Sequence, residues 1–303
     1  LKKNIIEVNA VAKQFGEVRA VDGVDLAVQK GEIFGLIGHN GAGKSTLFKM
    51  MLGLLPVSDG EIRIHGQPIR GETFRQVRRN IGYLPENVVF YDNLTGLETL
   101  EFFADLKSVT KGRCAELLDK VGLSHAARRR VRGYSKGMRQ RLGFAQAMLG
   151  KPAILFLDEP TSGLDPEGIR EFYRILWEMR EQGVTMILTS HILAEIQERV
   201  DRLAIMKMGK IQALGTVQSL REKIDLPLLI QIIMQPGTLD DLIAALTHLD
   251  LGEAEEENGT VQVSCPREKK MAVLSLLAEL DGKVLDLVVR EPSLEDVFLG
   301  YSG

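Results

Sequence analysis

Apolar and polar positions along the chain fall into two periods, and the switches between them mark out the elements. Ile5-Ile6-Glu7-Val8 and Val24-Asp25-Leu26-Ala27-Val28 follow a period of two, which predicts two antiparallel strands with Phe15-Gly16 in a polar turn between them. The apolar run Ile33 to Ile37 predicts a buried strand, and the apolar-rich segment Leu47 to Leu55 predicts a helix after it. Glu61-Ile62-Arg63-Ile64 alternates again between the turn pairs Asp59-Gly60 and His65-Gly66, a short hairpin region. Ile81-Gly82-Tyr83-Leu84 predicts another buried strand, stopped by Pro85-Glu86.

From Leu94 to Gly150 the pattern turns helical. Thr95-Gly96-Leu97-Glu98 is a capping box, Leu100, Phe103 and Leu106 continue an apolar face, and Arg113 to Val121 repeats the theme. Ile154-Leu155-Phe156-Leu157 is apolar throughout, as expected for a parallel strand covered on both faces. Ser162-Gly163-Leu164-Asp165-Pro166 predicts a turn that opens a helix, and Val184 to Leu188 a core strand leading to Ser190-His191. Leu203 to Met206 closes the sheet before a last hairpin at Gly209-Lys210. Pro227 marks a boundary. Beyond it the pattern reads β-α-β-α-β, with strands at Leu228 to Met234, Thr260 to Ser264 and Val284 to Val289, an acidic turn at Glu253 to Glu257, and a short helix capped by Ser293-Leu294-Glu295-Asp296. The expectation is an α/β domain over 1–225 with a helical insert at about 87–150, then a small α+β accessory domain over 226–303.

Composition narrows the function. At 45% hydrophobic and 26% charged residues the chain builds an ordinary core. The 38 Lys and Arg against 41 Asp and Glu give a net charge of −3, no global attraction to nucleic acid or an anionic membrane, so partner choice is local. Cys114 and Cys265 form no C-x-x-C pair, which argues against a disulfide framework or structural zinc. No apolar run approaches the ~18 residues that span a bilayer, and Lys2-Lys3 is not followed by a signal-peptide core. The expectation is a chain neither inserted nor exported by its own sequence.

Chemistry concentrates at Gly38-His39-Asn40-Gly41-Ala42-Gly43-Lys44-Ser45-Thr46, which fits G-x-x-x-x-G-K-[ST] between the strand and the helix. The glycines let successive N–H groups turn toward phosphate oxygens, and the helix adds its positive end. Lys44 would reach the β- and γ-phosphates and Ser45 would ligate Mg²⁺. Acids at strand ends are common and a lone histidine is usually structural. Here, however, Asp158 and Glu159 leave a fully apolar strand downstream of such a loop, where α/β sheets place their ligands. Asp158 can orient hydrated Mg²⁺, Glu159 can take a proton from attacking water, and His191 ends a further sheet strand beside the expected γ-phosphate. Glu86 leaves a third strand, and Phe15 is either a core aromatic or a face for a purine. The basic run Arg128 to Arg141 is ordinarily a solvated face, but Ser135 and Gly137 just before a helix suit phosphate better than a duplex groove. The five histidines, His39, His65, His125, His191 and His248, are too scattered to suggest soft-metal capture.

These motifs together resemble the nucleotide-binding subunit of an ABC transporter. The Walker A stretch, the signature Tyr134-Ser135-Lys136-Gly137-Met138-Arg139-Gln140-Arg141, the Walker B end Leu157-Asp158-Glu159-Pro160, the Ser162 to Asp165 loop and His191 occur in family order. The tail Glu291 to Phe298 is similar to that of exporter-like ATPases with an accessory C-terminal domain. Gly82 to Tyr91 together with Tyr134 to Leu142 resembles the ATPase subunit that serves maturation of the copper enzyme nitrous-oxide reductase.

The resemblance implies a P-loop NTPase with a RecA-like core sheet, an antiparallel β-subdomain and a helical signature subdomain. It implies ATP and Mg²⁺ as cofactors, held by Phe15, the 38–46 loop and, for the metal, Ser45, Glu86 and Asp158. Glu159 and His191 would be catalytic. Ser135, Lys136, Gly137 and Met138 would act with Asp165 on the ATP of a second copy packed head to tail. The implied partners are transmembrane permease subunits and, through them, periplasmic copper- or sulfur-handling proteins, with no nucleic acid, at the cytoplasmic face of the inner membrane. The alternatives are the ATPase of a generic drug- or lipid-type exporter, or a soluble ABC ATPase, which should carry two cassettes or a long coiled coil. The chain departs from the common pattern at Glu86 in the Gln-loop, at Lys136 and Met138 in the signature, and at Phe15 in place of tyrosine.

Overall fold

The computed structural model describes residues 3–222, 227–235, 237–247, 249, 251, 254–257, 260–280 and 282–290. The tail 291–298, the helix expected at Ser293 to Asp296 and His248 lie outside the described residues. The chain divides into two compact units, Leu1–Ser219 and Leu220–Gly303.

The strands of the first unit are β1 (Asn4–Phe15), β2 (Val18–Gln29), β3 (Ile33–Ile37), β4 (Asp59–Ile64), β5 (Gln67–Pro68), β6 (Ile81–Leu84), β7 (Ile154–Leu157), β8 (Thr185–Ser190), β9 (Arg202–Lys207) and β10 (Lys210–Gly215). They form two sheets. One is antiparallel, in the order β2-β1-β4-β5, and the other runs β10-β9-β3-β8-β7-β6. In the larger sheet β9, β3, β8, β7 and β6 are mutually parallel, and β10 pairs antiparallel at one edge. Every residue of β3, β7 and β8 is buried, as expected of strands covered on both faces, although β8 carries the polar Thr185, Thr189 and Ser190 around its apolar Met186 to Leu188. Phe34, Leu36, Phe156 and Ile187 share a core with Leu47, Phe48, Met50 and Met51 of the helix Lys44–Met51 and with Ile6, Val8 and Val28 of the antiparallel sheet. Phe48 meets Phe156 edge to face at 5.1 Å. Each such side chain contributes about 1.5–3 kcal/mol on burial. The consequence for function is positional, because the order β3-β8-β7-β6 sets the carboxyl ends of four parallel strands side by side.

The helical region expected from Leu94 onward holds helices Gly96–Lys107, Cys114–Lys120 and Lys136–Ala147. The Thr95–Glu98 capping box closes from both sides. Tyr134 Oη donates to the Ala126 carbonyl at 2.7 Å, fixing the approach to the last helix. The helices Gly71–Arg79, Leu193–Ile196 and Val217–Glu222 were not expected, and in the first only Phe74 is buried.

In the second unit β11 (Leu228–Met234), β12 (Ala254–Glu257), β13 (Thr260–Cys265) and β14 (Val284–Arg290) form an antiparallel sheet in the order β12-β13-β11-β14. Ile230, Ile232, Val261, Val263 and Cys265 pack against Leu242 and Leu246 of the helix Leu239–Thr247 and Val273 and Leu277 of the helix Lys270–Glu279. The acidic turn expected at Glu253 to Glu257 is corrected over 254–257, Glu253 lying outside the described residues. Ala254–Glu257 is an edge strand in register with β13, Glu255 opposite Gln262. Ladder pairing along an edge outweighs the poor strand propensity of glutamate. Both cysteines are buried free thiols, and burial pushes each thiol pKa up. Among the described residues no helix is long and apolar enough to cross a membrane.

Candidate functional site

The loop after β3 is held on both sides. Gly38 N–H donates to the Ser190 carbonyl of β8 at 3.3 Å, and Gly209 N–H donates to the Ala42 carbonyl at 3.0 Å. Two of its glycines have no substitute. A Cβ on Gly38 would lie 2.2 Å from the Met206 carbonyl oxygen. Gly43 sits at φ 102°, and its Cβ would meet the Ala20 carbonyl at 2.3 Å. Gly43 caps the helix Lys44–Met51 without a side chain to occupy the first-turn N–H groups, and no acid stands in that turn. A helix start of this kind attracts an anion.

A cleft of about 400 Å³ opens at this point. Of the residues singled out in the sequence, Phe15, His39, Asn40, Gly41, Gly43, Lys44, Ser45, Thr46, Glu86, Glu159 and His191 line it. Ala20 and Ser162 line it too, and the sequence had not marked them for the site. Gly38 and Ala42 shape the loop without lining the cleft, and Asp158 lies buried beside it at 5% exposure. Phe15 is 48% exposed, with the Lys13 ammonium 5.2 Å over its ring.

Charges converge on Lys44. Its ammonium donates to the carbonyls of Gly38 and His39 and stands 3.9 Å from Glu159 Oε1. Burial pulls its pKa down, and the carboxylates of Glu159, Asp158 and Glu86 oppose that. Burial pushes the Asp158 carboxyl up, as does Glu86, while a 2.6 Å hydrogen bond from Thr189 Oγ1 and the Lys44 charge pull it down. His191 Nδ1 lies 2.8 Å from Glu159 Oε2. An ionised carboxylate only accepts, so the ring proton of that pair belongs on Nδ1. Glu159 itself has φ 45°, unusual for a residue with a side chain, and its N–H donates to Thr189 Oγ1 at 2.9 Å. Thr189 is a contact the sequence reading missed, although a threonine near the end of a wholly buried strand was the available signal.

Ser135, Lys136, Gly137, Met138 and Asp165 do not join this cleft. They line a second cavity of about 500 Å³ with His125 and Arg141. Ser135 caps the helix Lys136–Ala147, its hydroxyl accepting from Met138 N–H at 3.2 Å, and Asp165 caps the helix Pro166–Glu181 through Gly168 N–H at 3.0 Å. Lys136 Nζ donates to Ser162 Oγ at 3.0 Å, linking the second cavity to a residue of the first.

The profile of the ABC transporter family matches residues 21–162. The linearmycin resistance ATP-binding protein LnrL of Bacillus subtilis is 33% identical over 99% of this chain and 98% of its own length. The bacitracin transport ATP-binding protein BcrA of Bacillus licheniformis is 34% identical over 99% and 97%. Among solved structures, one described as the ATP binding subunit of an ABC transporter superposes with TM-score 0.67 at 30% identity, covering 80% of this chain and 99% of that one. The expected P-loop NTPase fold is thereby borne out, and this chain belongs to the ATP-binding proteins of ABC transporters, ATPases whose hydrolysis of ATP powers transport.

Proposed function

We propose that the chain is the motor of a drug-type ABC exporter, a pair of copies working at the cytoplasmic face of the membrane beneath a permease. The observation that carries the catalytic reading is the Glu159–His191 pair, 2.8 Å apart, in the same cleft as Lys44. In this reading the loop amides and Lys44 hold the phosphates, and Phe15 offers its ring to the base. Glu159 takes the proton of the attacking water, and the Nδ1–H of His191, donated to Glu159, holds that carboxylate in place.

Mg²⁺ suits the donors present, since the Ser45 hydroxyl and the Asp158 and Glu86 carboxylates form an all-oxygen set. Among the described residues no three His, Cys, Asp or Glu side chains cluster as a metal cage, which agrees with a cation held largely by phosphate and water. When bound, that cation would neutralise charge on the β- and γ-phosphates. The second cavity, with Ser135 at a helix start, is suited to the γ-phosphate of a second copy's ATP.

The names of the relatives, linearmycin resistance and bacitracin transport, support the exporter reading of the cargo. The narrower reading, in which copper or a sulfur species is moved for nitrous-oxide reductase with help from periplasmic proteins, rests on Gly82 to Tyr91 and Tyr134 to Leu142, and the comparisons give it no support. One experiment separates the two. Deleting the gene should raise sensitivity to an exported antibiotic and leave the copper content of nitrous-oxide reductase unchanged in a denitrifying host. Loss of copper with unchanged sensitivity to a panel of antibiotics would reverse the assignment.

A further inference from the structure

We infer that Thr189 is a positioning residue for hydrolysis, a single hydroxyl that sets Asp158 and the backbone of Glu159 in register. The inference rests on the roles proposed above for those two residues.

The sheet order dictates the contact. β8 lies between β3, which feeds the phosphate loop, and β7, which feeds Asp158 and Glu159, and Leu157 pairs with Leu188. One step beyond that pair, Thr189 stands opposite Asp158. It is fully buried, so its hydroxyl must find its partners inside the protein. It has one proton and lone pairs to offer, and both are used. The proton goes to Asp158 Oδ1 at 2.6 Å, and the oxygen accepts Glu159 N–H at 2.9 Å.

The second bond matters because Glu159 sits at φ 45°, a conformation that a residue with a side chain holds only when its surroundings impose it. The surroundings here are specific. The hydroxyl of Thr189 grips the N–H side of Glu159, the buried Gln140 amide donates to the Pro160 carbonyl at 3.0 Å on the far side, and His191 meets the carboxylate. Gln140 belongs to the helix Lys136–Ala147, so the base is tied both to the core sheet and to the signature helix. Without the hydroxyl, Asp158 loses its donor, and the Glu159 backbone loses the partner that keeps its carboxylate aimed into the cleft. A misplacement on the scale of an ångström at a reacting group costs about 10²-fold in rate.

The test is Thr189→Val, which keeps volume and strand propensity and removes only the hydroxyl, beside Thr189→Ser, which restores it. ATP hydrolysis, ATP affinity without magnesium and amide exchange at Glu159 are measured on the full chain, with Glu159→Gln in parallel. The expected result for Thr189→Val is a kcat about 10²-fold lower, a KM within about threefold of wild type, and faster exchange of the Glu159 amide. Thr189→Ser should recover kcat to within about threefold and restore amide protection. If Thr189→Val does not fold, Thr189→Ala is read the same way. Unchanged kcat in the hydroxyl-free variant, or a loss that Thr189→Ser does not rescue, overturns the inference. Unchanged kcat in Glu159→Gln would instead overturn the reading of the site on which it rests.

Discussion

Replacing Glu159 by Gln isolates the proton acceptor from the shape of the site. The amide oxygen still accepts from His191 Nδ1, now 2.8 Å from Oε2, so the side chain keeps its place. What it loses is charge and basicity. A positioned general base contributes about 10²–10⁴-fold, which is about 2.7–5.4 kcal/mol on the barrier. ATP binding responds differently, because the charge of Glu159 has two neighbours. Glu159 Oε1 is 3.9 Å from Lys44 Nζ, and two unit charges at such a distance attract by about 1–4 kcal/mol across effective dielectric constants from 80 to 20. A γ-phosphate held by Lys44 would feel a repulsion from the same carboxylate on the same scale. The Lys44 attraction is present with and without ATP and does not favour binding, so removing the charge leaves ATP bound at least as tightly as in the wild type while kcat collapses. Phosphate release at saturating ATP and binding of a fluorescent ATP analogue measure the two quantities separately. A kcat within about threefold of wild type would refute the assignment, as would a loss carried wholly by KM.

Two further outcomes follow from individual contacts. Gly43→Ala combines positive φ with a 2.3 Å approach to the Ala20 carbonyl, so it should cost more than about 2 kcal/mol. In thermal melts that is a Tm lower by about 4–8 °C, together with loss of nucleotide binding; a full-strength melt would show that the loop is not tied to Ala20. Phe15→Ala should weaken ATP binding about fivefold or more without changing kcat, since an aromatic platform for a base contributes about 1–3 kcal/mol. Equal affinities for the two proteins, by titration, would make Phe15 a bystander at the rim.

Local physics explains which parts were legible. The strand, loop and helix around Lys44 announce themselves because glycine freedom, an apolar run and a helix start all act within a few residues. The four apolar residues of β7 state their own burial, and the Thr95–Glu98 box its own cap. The lateral order of strands is a different matter. Nothing near His191 says that β8 lies beside β7, and so the contact with Glu159, 32 residues away in sequence, becomes visible only in the folded sheet. Helix Gly71–Arg79 escaped because its apolar side consists of Phe74 and Val77 alone, too short a pattern to read. The strand Ala254–Glu257 escaped because its ladder with β13 overrides what a glutamate run suggests.

The central claim is that ATP is hydrolysed in a cleft built by Lys44 and Glu159 of one copy and completed by Ser135 of another. Mixing two inactive variants tests it most directly. Lys44→Ala keeps an intact signature and Ser135→Arg keeps an intact phosphate loop, so their heterodimer regains one complete site and loses the other. Light scattering with ATP added should show dimers in the mixture and monomers in each parent alone. Folded parents whose mixture stays monomeric with ATP would contradict the account.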